Sequence, residues 1–226
     1  LSAFAQELLR ELNGIDLPGA AVRSVSAAKC RAFADEFLKV TSLEESLFDG
    51  ILAFRSIQEP TEHSIFVGST AAVLAAAVGR VDPIWISNLL AASTFHDVGL
   101  THVHRDILQK TPSEWSPDER LEYESHVTKG VMLLKDSEDH FPKEVTRMVQ
   151  EHHEKPDGSG FPGKRKEQEI FEGSRFLILA NYFDRLCQGE ETGIEVSPRA
   201  AMLLIEKQLP AGKQIAEQLR LALSTD

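Results

Sequence analysis

Residues 83–99, PIWISNLLAASTFHDVG, join a strongly apolar segment to a histidine–aspartate pair. The apolar residues from Trp85 to Phe95 predict a buried helix, which His96 and Asp97 close. A carboxylate at the end of such a helix costs free energy unless it is paired or bound to metal. The pair supplies one imidazole nitrogen and one carboxylate able to bridge two ions. This stretch therefore predicts a helical fold built around a metal site.

The rest of the chain carries the same helical signature. Apolar residues recur with the period of an α-helix, and the alternation typical of strands is nearly absent. We therefore expect an all-α protein, a helical bundle. The predicted helices are Ala3–Leu12, Ser26–Val40, Leu43–Ile57, Thr61–Val78, Pro83–Phe95, Pro117–Leu134, Pro142–His153, Gly173–Cys187, Pro198–Gln208 and Gly212–Ser224. Residues 1–45 are expected to be an N-terminal helical segment that ends an upstream region, and residues 46–226 the metal-binding domain.

The composition narrows the possible functions. The 226-residue chain has a formal net charge of -11, which disfavours binding to a nucleic acid polymer or an anionic membrane. No run of 18 apolar residues exists, so no membrane span is expected. Cys30 and Cys187 lie far apart without CxxC spacing, which indicates buried thiols in a reducing cytoplasm. A small anionic substrate stays compatible with the charge, because bound metal cations reverse the local sign.

Further histidines can complete a metal site. His63 falls in the first turn of a predicted helix, and His126 lies within another. His152 and His153 end a third helix and run directly into residues 154–162, EKPDGSGFP. Together these residues fit a divalent-metal site with mixed nitrogen and oxygen ligands. Such sites carry out hydrolytic chemistry more often than structural work.

Each histidine also has an ordinary interpretation. A single histidine is more often a surface residue or a hydrogen-bonded core residue than a metal ligand. Only the combination of several histidines with the Gly-rich segment favours ligation. The histidines left with the ordinary interpretation are His102, His104 and His140.

The ordered series resembles the HD-GYP family, bacterial members of the HD superfamily of metal-dependent phosphohydrolases. The resemblance covers roughly residues 59–189 and rests on His63-Ser64, His96-Asp97-Val98-Gly99, His126 with Gly130, His152-His153-Glu154, Asp157-Gly158 and Gly160-Phe161-Pro162. It implies a helical bundle that holds two or three divalent ions, iron or manganese, and hydrolyses cyclic di-GMP to pGpG or GMP. The implied ligands are Glu59, His63, His96, Asp97, His126, His152 and His153.

The resemblance also suggests roles for individual residues. Asp97 is expected to bridge the ions and, with His126, is assigned to catalysis. Phe161 and Lys164, in and beside the Gly-Phe-Pro loop, are assigned to substrate binding. Asn181 stands where the family has its last aspartate ligand, and its carbonyl oxygen is the expected donor there.

This chain departs from the family pattern where the family holds its substrate. Phe161 replaces a tyrosine, so a phenolic hydroxyl is missing. Leu100 replaces the lysine that follows the histidine–aspartate motif, and Glu190 replaces a downstream arginine. An acid at that position repels a phosphodiester. The metal ligands are thus retained, whereas the cations that hold the nucleotide are lost.

Two functional hypotheses follow. The first is a metal-dependent phosphodiesterase that hydrolyses cyclic di-GMP or a related nucleotide, with weak activity because of the lost cations. The second is a catalytically degenerate module that binds metal and nucleotide and regulates a signalling partner protein. Loss of cations at Leu100 and Glu190 favours the second, whereas the retained ligand set favours the first.

Overall fold

The computed structural model describes residues 60–137 and 141–208. Within these ranges the chain is helical, with two 3-10 turns and one isolated β-bridge but no strand. The all-α prediction is therefore confirmed. The helices are α1 Pro60–Ala77, α2 Pro83–Phe95, α3 Arg105–Leu108, α4 Pro117–Lys135, α5 Lys143–Glu151, α6 Glu172–Cys187 and α7 Pro198–Gln208, and the 3-10 turns are Val98–His102 and Glu167–Glu169.

Local capping explains where several helices begin. The Asp82 carboxylate accepts a hydrogen bond from the Trp85 amide at 2.8 Å, and Pro83 occupies the first helical position of α2. At α4, Ser116 and Glu119 form a reciprocal capping box before the apolar face starts. These signals are visible in the sequence, and the predicted start of each of these helices is correct.

The structure corrects one helix boundary and adds short elements. The predicted helix Pro142–His153 is shorter, because Pro142 is its N-cap and His152 its C-cap. Helix α3 and both 3-10 turns were not predicted, since a single helical turn carries too little periodicity to be recognised. The predicted helices before residue 58 and after residue 211 lie outside the described residues, as does the domain boundary at residue 45.

The apolar core joins helices that are distant in sequence. Helices α1, α2 and α6 pack against one another, and α5 packs on both α2 and α6. Phe66 of α1 stacks on Phe183 of α6 with ring centroids 6.2 Å apart, and Trp85 of α2 meets Phe176 of α6 edge-on. This packing fixes the ends of α2 and α5 beside the start of α1. None of the described helices combines the length and apolar character that crossing a lipid bilayer requires.

A close backbone contact holds α4 against the turn that follows α2. Gly99, in the 3-10 turn, lies against the backbone of His126 and Gly130 in α4. A Cβ atom at Gly99 would overlap the His126 carbonyl oxygen and lie 2.7 Å from the Gly130 nitrogen. A Cβ atom at Gly130 would instead come no closer than 3.4 Å to the Gly99 nitrogen, an ordinary contact. Only glycine therefore fits at position 99.

We expect Gly99→Ala to lower the free energy of unfolding by about 1–3 kcal/mol, because two backbone segments must separate. Gly130→Ala is the matched control at the same contact. It should be neutral or stabilise by up to about 1 kcal/mol, because alanine is the better helix former. Urea denaturation of both variants measures the difference. Equal stability of the two would mean that the α4 contact is looser than the structure indicates.

Candidate metal centre

Several helix ends meet at one point of the fold. His63 lies in the first turn of α1, His96 is the C-cap of α2, and His152 is the C-cap of α5. Asp97 and His153 follow directly in the chain, and His126 is buried within α4. The ligand atoms fall into two groups in which all members lie within 4.8 Å of one another. These groups are His63 with His96 and Asp97, and Asp97 with His126, His152 and His153.

The Asp97 carboxylate belongs to both groups and faces each with a different oxygen. Its Oδ2 lies 3.3 Å from His96 Nε2 and 3.7 Å from His63 Nε2. Its Oδ1 lies 3.4 Å from both His126 Nε2 and His152 Nε2. Its side chain is 24% exposed, although the Oδ1 atom itself is buried. A carboxylate between two sets of imidazoles is the arrangement that a bridging ligand requires.

The histidines present the same ring nitrogen to the centre because the other nitrogen is bonded. His63 Nδ1 donates to Asp184 Oδ2 at 2.6 Å. In the other three, Nδ1 donates to a carbonyl oxygen three residues earlier in the same helix: His96 to Ser93, His126 to Tyr123 and His152 to Val149, at 2.6–2.7 Å. A carbonyl accepts only, so each Nδ1 carries the proton. In the neutral rings, Nε2 is therefore an unprotonated acceptor.

These acceptors lie too close together to be stable without a cation. His63 Nε2 is 3.1 Å from His96 Nε2, and His126 Nε2 is 3.3 Å from His152 Nε2. In addition, the buried Asp97 Oδ1, His153 Nε2 and Asn181 Oδ1 atoms make no hydrogen bond to any residue that the structure describes. Buried acceptors without a donor are costly. Nitrogen and oxygen donors clustered in this way fit a divalent transition metal.

Burial disfavours a proton as that cation at His152 and His153. Burial lowers the pKa of His152 to about 4, and burial together with the His152 charge lowers that of His153 still further below its usual range. Burial would raise the pKa of Asp97, but His96 and its neighbours hold it well below the ordinary value. At neutral pH the ionised Asp97 carboxylate thus lies beside the unprotonated imidazoles of His152 and His153, the state that binds metal. His63 differs: burial opposes its charge, yet Asp184 and Asp97 raise its pKa.

Glu151 fixes the helix end that carries His152. Its buried carboxylate accepts hydrogen bonds from Ser174 Oγ at 2.7 Å and from the Phe171 amide at 2.8 Å, both at the start of α6. Arg147 Nε, one turn earlier in α5, donates to the other oxygen at 2.9 Å. Sequence reasoning did not single out Glu151, since a glutamate in a helix usually faces solvent.

Glu154 fixes the Gly-rich loop beside the centre. Its buried carboxylate accepts hydrogen bonds from the backbone amides of Gly163 and Arg165, the latter at 2.8 Å. The Phe161 amide donates to the His153 carbonyl oxygen at 3.1 Å. A Cβ atom at Gly160 would overlap this carbonyl and the backbone that follows it, so only glycine fits there. The loop is thereby closed onto the histidine pair.

The residues assigned to substrate binding lie in different environments. The Phe161 ring is half-buried and stacks on His153, with ring centroids 4.6 Å apart and an interplanar angle of 20°. Lys164 is exposed and has a left-handed backbone with φ of 51°. Leu100 is partly buried and packs with Trp115 on a small apolar cluster that includes Tyr123. Phe161 therefore contacts the centre itself, whereas Lys164 lies at the surface.

Arg185 is a cation that sequence reasoning missed. It follows Asp184, the partner of His63, in helix α6, and its side chain is only 14% exposed. Its Nη1 donates to the Tyr123 hydroxyl at 3.0 Å and lies 3.3 Å from Glu190 Oε2. The available signal was its spacing from Asn181, because residues four apart share one face of a helix.

Two further histidines lie away from the centre. His102 and His104 are exposed, and their side chains contact Thr101 and Asp106 respectively. Their ordinary interpretation is consistent with these positions. Glu59 and His140 lie outside the described residues.

Comparison with known proteins agrees with this architecture. The model of the HD domain family matches residues 49–211. A cyclic di-GMP phosphodiesterase from Thermotoga maritima is 27% identical over 158 residues, which are 68% of this chain and 42% of that protein. A 3'3'-cGAMP-specific phosphodiesterase 2 from Vibrio cholerae is 34% identical over 95 residues, 42% of this chain and 18% of that protein. The chain thus spans less than half the length of these relatives.

A solved structure shares the fold. Bd1817, an HDG"Y"P protein from Bdellovibrio bacteriovorus, superposes with a TM-score of 0.71 at 21% identity, covering 97% of this chain and 68% of that one. Both the family match and the ordered His and Asp motifs lie in the helical bundle described above. The chain belongs to the HD domain family, and within it to the HD-GYP group.

Proposed function

We propose that this chain is a divalent-metal-dependent phosphodiesterase that hydrolyses cyclic di-GMP or a related cyclic dinucleotide. The observation that carries the proposal is the position of Asp97, with one carboxylate oxygen facing each of two histidine pairs. The named activities of the Thermotoga and Vibrio relatives support the substrate class. Turnover of cyclic di-GMP by metal-loaded protein, compared with chelated protein, tests it directly.

The proposed ligands divide between two ions. His63, His96 and one Asp97 oxygen hold the first ion, with Asn181 Oδ1 as a further donor. The other Asp97 oxygen holds the second ion together with His126, His152 and His153. Glu59 is proposed as an additional ligand, and iron or manganese as the metal, since both accept imidazole and carboxylate donors. The same histidine set would hold a third ion only with further ligands.

Bound metals would activate water and neutralise the charge that develops on the phosphate. The chain's own residues would prepare the site for this chemistry. The histidines would bind as neutral ligands, so two bound ions would keep a net positive charge toward an anionic phosphodiester. The Nδ1 bonds to backbone carbonyls fix each ring in one tautomer and orientation. Asp97 would be shared by both ions, and His126, held by the Tyr123 carbonyl oxygen, would lie beside the reacting group.

A second candidate function is a metal-binding signalling module with little or no turnover that acts on a partner protein. This second function is favoured by the environment of Leu100 and Glu190. Leu100 packs on apolar side chains instead of supplying a cation, and Glu190 brings an acid within 3.3 Å of Arg185. Weak turnover, in this view, follows from poor substrate binding and not from a defective metal centre. For either function we propose a cytoplasmic location, consistent with the buried free thiol of Cys187.

For the metal content, we expect at least two ions per chain in protein purified without chelators. Asp97→Ala should lose most of both ions because this carboxylate serves both groups. His63→Ala should lose less, because it removes a ligand of the first ion only. Inductively coupled plasma mass spectrometry measures the content. His104→Ala, which changes an exposed histidine outside the centre, is the control and should retain both ions. Less than one ion per chain in the unmodified protein would contradict the proposal.

For Asn181, we expect Asn181→Asp to bind metal more tightly but to unfold more easily after chelation. A buried carboxylate is costly without a cation and favourable beside one. Asn181→Leu should behave in the opposite way, because it removes the unpaired buried oxygen and the proposed ligand together. Thermal unfolding with and without metal measures both effects. If neither variant changes the metal dependence of Tm, Asn181 is not a ligand.

For substrate binding, we expect Leu100→Lys to raise kcat/KM for cyclic di-GMP about 10- to 100-fold. A charge-assisted hydrogen bond to phosphate contributes about 1.5–3 kcal/mol, and each 1.4 kcal/mol is a factor of ten. The lysine stem can keep part of the packing against the cluster of Val103, Ile107 and Tyr123. Leu100→Met is the control of similar volume and should leave turnover unchanged. An unchanged rate for the lysine variant, with full metal content, would indicate a different substrate or the signalling function.

A further inference from the structure

Arg185 connects the two helices that flank the candidate metal centre. On α6 it follows Asp184, whose carboxylate holds His63, and it lies one turn beyond the buried Asn181. Across the site it donates a 3.0 Å hydrogen bond to the Tyr123 hydroxyl. Tyr123 lies one turn before His126 on α4, and its ring is 4.9 Å from that imidazole. The guanidinium is therefore held at the rim of the centre from both sides.

The contacts of Arg185 leave part of its donor surface available. Its Nε donates to Glu191 Oε1 at 2.7 Å, and its Nη1 is shared between Tyr123 and Glu190. Its Nη2 donates to no residue that the structure describes. The positive charge also lies beside the centre, because the Tyr123 hydroxyl that Arg185 contacts belongs to a ring 4.9 Å from the His126 imidazole. An anion bound at the metals would thus lie within the field of this guanidinium.

Glu190 is the weakest of these partners. Its side chain is 47% exposed, and its oxygen lies 3.3 Å from an Nη1 atom that already donates to Tyr123. The Glu190 carboxylate stands about half in solvent, so water weakens its attraction to Arg185. A phosphate oxygen accepting from a guanidinium edge makes a shorter and stronger bond, especially when two donors engage it. A phosphate can therefore displace Glu190 while Tyr123 and Glu191 keep the guanidinium in place.

We propose that Arg185 binds a phosphate group of the substrate in this chain, and that Glu190 competes with that phosphate for Arg185. This inference rests on the proposed function, because it assigns a substrate contact to the same centre. Arg185 would supply a cation at a site where Leu100 and Glu190 replace the two cations of the family pattern. It also gives Glu190 a specific role: the acid lowers affinity by occupying Arg185 and not only by repelling the substrate at a distance.

A double-mutant cycle on the metal-loaded protein tests the inference, with cyclic di-GMP as the probe and equilibrium binding as the readout. Arg185→Gln should raise the Kd about tenfold or more, the loss expected for one charge-assisted hydrogen bond. Glu190→Gln should lower the Kd severalfold. In the Arg185→Gln background, however, the factor by which Glu190→Gln lowers the Kd should be at least about threefold smaller. The cycle separates the interaction between these two contacting residues from their individual effects on binding.

The controls separate this contact from general charge and from folding. Arg80 and Glu172 form an exposed ion pair away from the centre, so Arg80→Gln and Glu172→Gln make the same charge changes there. Both should leave the Kd unchanged. Tyr123→Phe keeps the ring but removes the hydroxyl that holds Arg185, and it should raise the Kd by less than Arg185→Gln. Metal content is measured in every variant, so that only loaded proteins are compared.

The outcomes distinguish this inference from the proposed function. An unchanged Kd in Arg185→Gln, or equal effects of Glu190→Gln in both backgrounds, would overturn the role of Arg185 even if the protein hydrolyses cyclic di-GMP. The predicted Kd changes without any turnover would support the contact and overturn the phosphodiesterase proposal. Metal-loaded protein that binds no cyclic di-GMP would overturn both.

Discussion

The geometry of the centre depends on one carboxylate held between two pairs of imidazoles. Asp97 can face both pairs only because α2 ends at Phe95 and the chain then turns tightly against α4. Gly99 makes that turn possible by allowing backbone to approach backbone. The apolar packing of α1, α2, α5 and α6 serves the same end, because it places the ends of separate helices around one carboxylate. A small shift of α4 would withdraw His126 from Asp97.

Backbone carbonyls take part in this arrangement as much as side chains do. The C=O groups of the last turn of a helix lack partners within the helix. His96 and His152 stand at helix ends and satisfy a carbonyl there through Nδ1. The same bond fixes the tautomer that leaves Nε2 free for a metal. Placing a ligand histidine at a helix C-terminus therefore meets a structural need and a chemical need together. His126 obtains the same bond from within α4.

Periodicity and caps were sufficient to predict the helices that build the centre. The ordered motifs include the six residues whose ligand atoms lie together in the structure, whereas the roles assigned to them stay predictions. The His63–Asp184 bond and the two buried glutamates could not be predicted, because they depend on how distant segments pack. Arg185 shows the limit most clearly. Its neighbours Glu190 and Glu191 are near in sequence, yet its bond to Tyr123 spans 62 residues and depends on the crossing of α4 and α6. Comparison of motif positions alone therefore registers a lost cation at Glu190 and overlooks the one that α6 supplies.

The close acceptors also bear on the choice between an enzyme and a regulatory module. The lone pairs of neutral imidazoles 3.1–3.3 Å apart repel one another unless a cation lies between them. A proposed metal would thus contribute to folding as well as to chemistry, since binding free energy at such a site is also folding free energy. Retention of the ligands is then expected for either function and does not by itself indicate catalysis. The groups that decide between the two functions lie at the rim, where Leu100, Arg185 and Glu190 set the charge that a phosphodiester meets.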